Sequence, residues 1–154
     1  MARWRILLLG LLFFDGACST PAKRKVDAPR YLAFRVEALE SEASSGVGFK
    51  TVLFQGEELL LSPPHRYFID HAKIADIGSE RLGVQYWITK DQRKEFNRWT
   101  GGHVGRRMAV ILDGEVLCCL KLETALPGSG ILVCDSKGYS RDEAQSIVDR
   151  LSSN

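Results

Sequence analysis

The sequence lacks the features that mark most enzymes, membrane-spanning proteins and nucleic-acid binders. No apolar run reaches the roughly 18–20 residues that a spanning helix needs. The formal net charge is only +2, which excludes the strong basic excess of a dedicated nucleic-acid binder. The chain has neither a Gly-x-Ser-x-Gly nucleophile elbow nor a phosphate-binding loop. We therefore expect no catalytic residues and a non-enzymatic function.

Metal and cofactor chemistry has equally little support. The three histidines, His65, His71 and His103, do not have metal-ligand spacing, and no Cys-x-x-Cys occurs. We therefore expect no metal and no cofactor.

Cysteine is scarce, with four residues in the chain. Cys118 and Cys119 are neighbours on a predicted strand, so their side chains point to opposite faces and only one of them could pair with Cys134. The alternative is that all three are small buried apolar residues.

The N-terminus predicts export from the cytoplasm. A basic start precedes an apolar stretch over residues 6–14 and the small residues Gly16-Ala17-Cys18, an order typical of a signal peptide. These small residues and the following serine resemble the lipobox of bacterial lipoproteins, whose cysteine is acylated, although Asp15 departs from that pattern. We predict lipidation at Cys18 and an extracytoplasmic, lipid-anchored protein; simple secretion or an uncleaved anchor are the alternatives.

The predicted signal peptide divides the chain into three segments. Residues 1–17 form the signal peptide and residues 18–30 a polar tether, whose basic cluster Lys23-Arg24-Lys25 would be attracted to anionic lipid headgroups. Residues 31–152 form one folded domain, and an apolar share of 45% is enough for a hydrophobic core.

The last third of the chain has the clearest local signals. Met108–Leu112 is a short apolar run followed by Asp113-Gly114, which predicts a strand, a tight turn and a return strand over Glu115–Leu122. A Pro127–Gly130 turn then leads into a third strand, Ile131–Cys134.

A helix follows this third strand. Ser140 and Glu143 have the spacing of a capping box. Ala144, Ile147, Val148 and Leu151 form the apolar stripe of the helix that begins there.

The earlier part of the domain predicts more strands and a second helix. Alternation from Leu32 to Ala38 indicates a strand with one solvent-exposed face. Phe49–Phe54 and Leu59–Leu61 flank Gln55-Gly56-Glu57 and predict a second, hairpin-like strand pair. Residues 67–77 are consistent with either a strand or a short helix. Leu82–Thr89 alternates as a strand, and a second capping-box spacing, Thr89 to Gln92, begins a short helix that ends at Gly101-Gly102. The fold class is α+β, with two helices packed on an antiparallel or mixed sheet.

Residues 105–116 and the Gly128–Ile131, Gly138–Ser140 and Glu143–Gln145 segments together resemble the periplasmic head subdomain of SecD, from the bacterial protein-export machinery. The resemblance covers about residues 31–151. It implies a SecD-head-like fold, an exported setting and a polypeptide partner, including translocating or unfolded chains. The transmembrane helices and the base subdomain of SecD have no counterpart here.

Four residues are candidates for contact with a partner: Trp87, Trp99, Arg106 and Arg107. Trp87 lies on the nominally polar face of its strand, where an extended peptide could add by β-augmentation if a strand edge is open; the alternative is that a second layer covers it. The arginines form either a small patch for an acidic partner or a solvated edge. The overall hypothesis is a non-enzymatic envelope protein that binds polypeptide. The alternatives are a structural lipoprotein that binds a fixed partner or the cell wall, and an envelope enzyme with an unrecognised site.

Overall fold

The computed structural model describes residues 30–43, 47–133 and 137–152. The predictions for the signal peptide, the tether, Cys18 and Cys134 lie outside these residues. Within the described ranges the chain forms eight strands and three helices. In chain order they are β1 (Tyr31–Val36), α1 (Glu40–Ala43), β2 (Lys50–Phe54), β3 (Glu57–Leu61), β4 (His65–Asp76), β5 (Leu82–Ile88), α2 (Arg93–Gly101), β6 (Arg107–Leu112), β7 (Glu115–Lys121), β8 (Ser129–Leu132) and α3 (Arg141–Ser152).

Six strands form one sheet in the order β7-β6-β1-β4-β5-β8, and every neighbouring pair is antiparallel. The remaining strands, β2 and β3, form a separate antiparallel hairpin. Phe96 of α2 and Ala144, Ile147 and Leu151 of α3 belong to the same buried cluster as the inner face of the sheet. The predicted α+β fold with two helices on the sheet is confirmed.

The core is centred on three aromatic rings from three elements. The ring of Phe34 lies 5.9 Å from that of Tyr67 and 4.9 Å from that of Phe96, and the Tyr67 and Phe96 rings are 5.0 Å apart. All three pairs have edge-to-face geometry, the arrangement that aromatic quadrupoles favour. These contacts join β1, β4 and α2 around one point.

The β2–β3 hairpin covers half of the outer face of the sheet. Leu59 and Leu61 of the hairpin pack on Ala109 of β6 and are buried. On β1, Ala33 is also buried, and the Arg35 guanidinium donates hydrogen bonds to the carbonyls of Gly48 and Ser62. The prediction that β1 has one solvent-exposed face is therefore wrong, because a distant hairpin covers that face.

Two β-bulges change which side chains face the core. In β4 the register shifts between Ile69 and His71, so that Tyr67 and Ile69 point inward before the bulge and Ala72 and Ile74 after it. This change of phase explains why residues 67–77 had a mixed pattern; the segment is a strand.

The second bulge lies in β7. There Ile111 pairs with Val116 and Val110 with Cys118, so Leu117 is the extra residue. Leu117 and Cys118 consequently both face the main core, while Cys119 packs under the hairpin. The prediction that Cys118 and Cys119 face opposite sides is confirmed.

The strand predicted at Ile131–Cys134 begins earlier than the sequence indicated. Ser129 and Gly130, predicted as part of a turn, belong to β8 and pair with Trp87 and Tyr86 of β5. A Cβ at Gly130 would lie only 3.0 Å from the Tyr86 hydroxyl. The glycine therefore leaves room for that ring within the sheet.

The two predicted capping boxes have different outcomes. At α3 the Ser140 N–H donates to Glu143 Oε2 (2.8 Å) and the Glu143 N–H donates to Ser140 Oγ (3.3 Å), which confirms the motif. At α2 the box is not formed: the helix begins after Gln92, which has no side-chain capping bond.

The side chain of Gln92 is used elsewhere. Its Oε1 accepts from the Phe68 N–H of β4 at 2.7 Å. The N–H of Thr89, which a capping box would bind, donates instead to the carbonyl of Phe68. Tertiary bonding has replaced the local motif.

The Ser140 cap gives a test of local stability. We expect Ser140→Ala to lower the free energy of unfolding by about 1 kcal/mol, because the first turn of α3 loses its side-chain acceptor. Urea unfolding followed by circular dichroism measures the change. Ser146→Ala, at an exposed position within the same helix, is the control and should not destabilise the protein; equal losses in both variants would contradict the capping role.

Candidate interaction surface

The half of the outer sheet face that the hairpin leaves uncovered is formed by β4, β5 and β8. The register places His71, Trp87 and Ser129 in one cross-strand row and Lys73, Gln85 and Ile131 in the next. Directly opposed residues of antiparallel strands point to the same side, and the neighbouring residues Val84 and Tyr86 point into the core. We refer to these six outward-facing residues as the open sheet face.

Trp87 is the central side chain of the open sheet face. Its ring stacks on that of His71, with centroids 4.1 Å apart and an interplanar angle of 14°. The Lys73 ammonium lies 5.4 Å from the Trp87 centroid, a cation–π distance. The indole lies between these neighbours and is half-buried. Such a surface offers a flat apolar contact with a cation beside it.

Ile131 extends the apolar part of this surface from the edge strand. Its side chain is 46% exposed. It leans over β5 at Gly83, where an added Cβ would lie 2.6 Å from Ile131 Cγ2 and 2.9 Å from the Leu132 carbonyl oxygen. The missing side chain at Gly83 therefore lets the Ile131 side chain lie flat on β5.

Trp99 lies elsewhere, on α2 and against the core. Its ring is 4.7 Å from the His65 ring and 5.1 Å from the His103 ring. The carbonyl of Trp99 accepts a 2.7 Å hydrogen bond from His103 Nδ1, so that nitrogen carries the proton. Burial, followed by the nearby His103, holds the pKa of His65 below its usual value. The structure thus does not bring the two tryptophans together.

Arg106 and Arg107 are both engaged by carboxylates of the same chain. Arg106 donates to both carboxylate oxygens of Glu42 in α1, at 2.8 and 2.9 Å. Arg107 donates to both oxygens of Glu37, at 2.9 and 2.8 Å, and also to Glu57 of the hairpin. Hydrogen bonding from the arginines is the main cause that lowers the pKa of Glu37 and of Glu42. These pairs hold α1 and the hairpin against β6.

The remaining candidate chemistry is sparse. Across residues 30–43, 47–133 and 137–152, no three His, Cys, Asp or Glu side chains gather as metal ligands. In the same part of the chain no helix combines the length and apolarity needed to cross a membrane. His71 contacts Asp70 at 3.2 Å and Trp87, which is a surface arrangement.

Sequence reasoning identified Trp87 but missed the residues that complete the surface. Alternation placed the indole on the polar face of its strand. The contributions of His71, Lys73 and Ile131 depend on strand pairing across the sheet, and that of Gly83 on a contact with β8. The one available signal was a glycine inside an otherwise regular strand, which indicates a close approach of a neighbour.

Comparisons with known proteins indicate the fold. No family model matches the sequence, and no curated protein matches it. Two solved structures share the architecture. A membrane component SecDF that enhances protein export aligns with 80% of this chain at 22% identity and a TM-score of 0.58. SecDF in a super-membrane-facing form aligns with 79% at 19% identity, also with a TM-score of 0.58.

The alignments cover 62% of the first of these chains and 18% of the second. The chain therefore has a SecD-like fold, and its length corresponds to only part of either structure.

The Arg107–Glu37 pair predicts a pH dependence of stability. The pKa of Glu37 is lowered in the folded state, so the pair stabilises the fold above the unfolded value of about 4.3 and is lost as the pH falls through the folded value. We expect Arg107→Gln to lower the free energy of unfolding at neutral pH, and the difference from the wild type to shrink below about pH 4. Urea unfolding at a series of pH values measures this.

The matched control is Lys121→Gln, which removes the same charge from the residue opposite Arg107 on β7. It should change stability by no more than about 0.5 kcal/mol at any pH, as is usual for an exposed surface site. A deficit in Arg107→Gln that stays constant down to pH 3 would show that the arginine acts through packing of its stem instead.

Proposed function

We propose that this chain, which has a SecD-like fold, is a non-enzymatic cell-envelope protein with a SecD-head-like domain that binds polypeptide on the extracytoplasmic side. Translocating or unfolded chains are the partners that fit this role. Lipid on Cys18 would anchor the domain to the membrane surface. Residues 18–30 would then act as the tether between the anchor and the domain.

The open sheet face is the observation that supports polypeptide binding. It presents the Trp87 ring and the Ile131 side chain without a covering layer among the described residues, although the hairpin buries the other half of the same sheet face. Tryptophan is among the residues that contribute most of the binding energy at protein interfaces, and the adjacent isoleucine extends the apolar contact. The polar side chains of His71, Lys73, Gln85 and Ser129 surround these two apolar ones on the open sheet face and can hydrogen-bond a bound chain.

The other candidate residues contribute less to this proposal. Trp99 is packed against the core, and the charges of Arg106 and Arg107 are matched by Glu42, Glu37 and Glu57. A partner would have to displace these internal contacts before using either arginine. Trp87 is therefore the residue through which binding is best tested.

We expect the full-length chain to bind reduced, carboxymethylated lactalbumin, a permanently unfolded protein. Trp87→Ala should weaken that binding at least about tenfold, which corresponds to ~1.4 kcal/mol for the lost aromatic contact. Fluorescence anisotropy of the labelled unfolded protein measures the affinity. Leu53→Ala, which removes an apolar side chain that is 72% exposed on the hairpin, is the control and should bind like the wild type.

If Trp87→Ala and the wild type bind with equal affinity, the open sheet face is not the binding surface.

Cross-linking in the intact envelope separates the proposal from its main alternative. Many unrelated exported chains should be captured by the wild type. Capture of a single stable partner would instead favour a structural lipoprotein with a fixed partner.

Acylation at Cys18 is tested separately by labelling cells with a fatty acid. We expect the wild-type protein to carry the label and Cys18→Ser to lose it, because the lipid is attached through the cysteine sulfur. Cys119→Ser should keep the label, since that cysteine is half-buried beneath the hairpin. Label that persists in Cys18→Ser would refute lipidation at this residue.

A further inference from the structure

We infer that the edge of β8, which no other described strand pairs with, is where an extended polypeptide segment adds to the sheet as a further strand, beside the open sheet face. This inference rests on the proposed function and specifies the mode of binding. The occupant is a stretch of unfolded polypeptide with apolar side chains at alternate positions. Its main chain would pair with β8, and its side chains would contact Ile131 and Trp87.

The hydrogen-bond pattern of β5 and β8 identifies which groups point outward. The Ile88 N–H donates to the Gly128 carbonyl at 2.9 Å, and the register continues without a bulge through Tyr86–Gly130 and Val84–Leu132. Antiparallel pairs alternate between those that exchange hydrogen bonds and those that do not. Ser129 and Ile131 are therefore the non-bonded positions, and their N–H and C=O groups point away from β5.

Nothing in the described part of the chain occupies these outward groups. No hydrogen bond from residues 30–43, 47–133 or 137–152 outside the sheet reaches the main chain of Ser129 or Ile131. Two N–H and two C=O groups therefore alternate along a short edge. An extended chain is the ligand whose own donors and acceptors repeat with the same spacing.

The opposite edge of the sheet is protected in the ways that proteins use to block strand addition. β7 contains the bulge at Leu117, and the Leu117 carbonyl accepts a hydrogen bond from the Tyr139 hydroxyl at 3.2 Å. The chain around Tyr139 and the first turns of α3 form the far wall of a groove of about 520 Å³ along this edge. A bulge and an internal hydrogen bond of this kind hinder edge-to-edge pairing. β8 has neither device in the described residues.

A second copy of this chain is a poorer occupant than a polypeptide segment. β8 has four residues, and the open sheet face adds side chains from two further strands. A stable interface between two folded proteins needs roughly 20–30 residues on each side. A single extended strand requires only the short edge and the adjacent apolar face.

Proline at position 131 tests the inference directly. Ile131→Pro removes one outward N–H, and an edge strand tolerates proline where the N–H faces solvent. Ile131→Ala keeps that N–H and removes most of the side chain. We expect Ile131→Pro to bind carboxymethylated lactalbumin at least about tenfold more weakly than Ile131→Ala, with both full-length variants folded by circular dichroism.

Hydrogen exchange on the wild-type full-length chain provides a second measurement, which decides the question if Ile131→Pro does not fold. Saturating carboxymethylated lactalbumin should slow exchange of the Ser129 and Ile131 amides at least about tenfold, while Gly130 and Leu132, already bonded to β5, change little. Protection without added polypeptide that increases with protein concentration would identify a second copy as the occupant and overturn the inference.

The remaining outcomes distinguish a failure of strand addition at β8 from a failure of polypeptide binding. If Ile131→Pro and Ile131→Ala both bind the unfolded protein tightly and with equal affinity, strand addition is refuted, but the proposed function is not. Binding without protection of Ser129 and Ile131 would have the same consequence. Failure of the wild-type chain to bind unfolded protein at all would overturn both.

Discussion

The structure depends on keeping one face of a single curled sheet apolar. In two strands, β4 and β7, a bulge interrupts the alternation of inward and outward side chains. Side chains of a strand alternate between faces, so an uninterrupted β4 or β7 would turn part of its core residues to the outer face of the sheet. Each bulge inserts one residue and restores the inward phase, which lets Ala72 and Ile74 join Tyr67 and Ile69 in the core. The helices α2 and α3 can then close one continuous apolar surface.

The second face of the sheet is divided into two parts with different roles. The hairpin buries the part formed around β1, β6 and β7, and the charged contacts of Arg107 with Glu37 and Glu57 lie along its border. In the part formed by β4, β5 and β8, Trp87 is half-buried and Ile131 is exposed among the described residues. A fold shared with SecDF therefore provides a scaffold with one side that no described residue covers.

Features that depend on neighbouring residues could be predicted from the sequence, and features that depend on contacts between distant residues could not. The Asp113-Gly114 turn, the Gln55-Gly56 hairpin and the Ser140–Glu143 cap need only neighbouring residues, and all three are present. The Thr89–Gln92 cap failed because Gln92 binds Phe68, which is 24 positions away. The same limit applies to the surface: Trp87 could be identified from its own strand, but its neighbours are brought there by pairing between distant segments.

The position of β1 in the sheet determines how the domain would respond to force. β1 is the first strand after the chain leaves residue 30, and it lies in the interior of the sheet, bonded to β6 on one side and to β4 on the other. A pull on the chain ahead of Tyr31 acts along the strand, so it loads both ladders in shear and strains their hydrogen bonds together. An edge strand in the same place would peel away one bond at a time. A protein held to a surface by its N-terminal end would therefore resist mechanical unfolding.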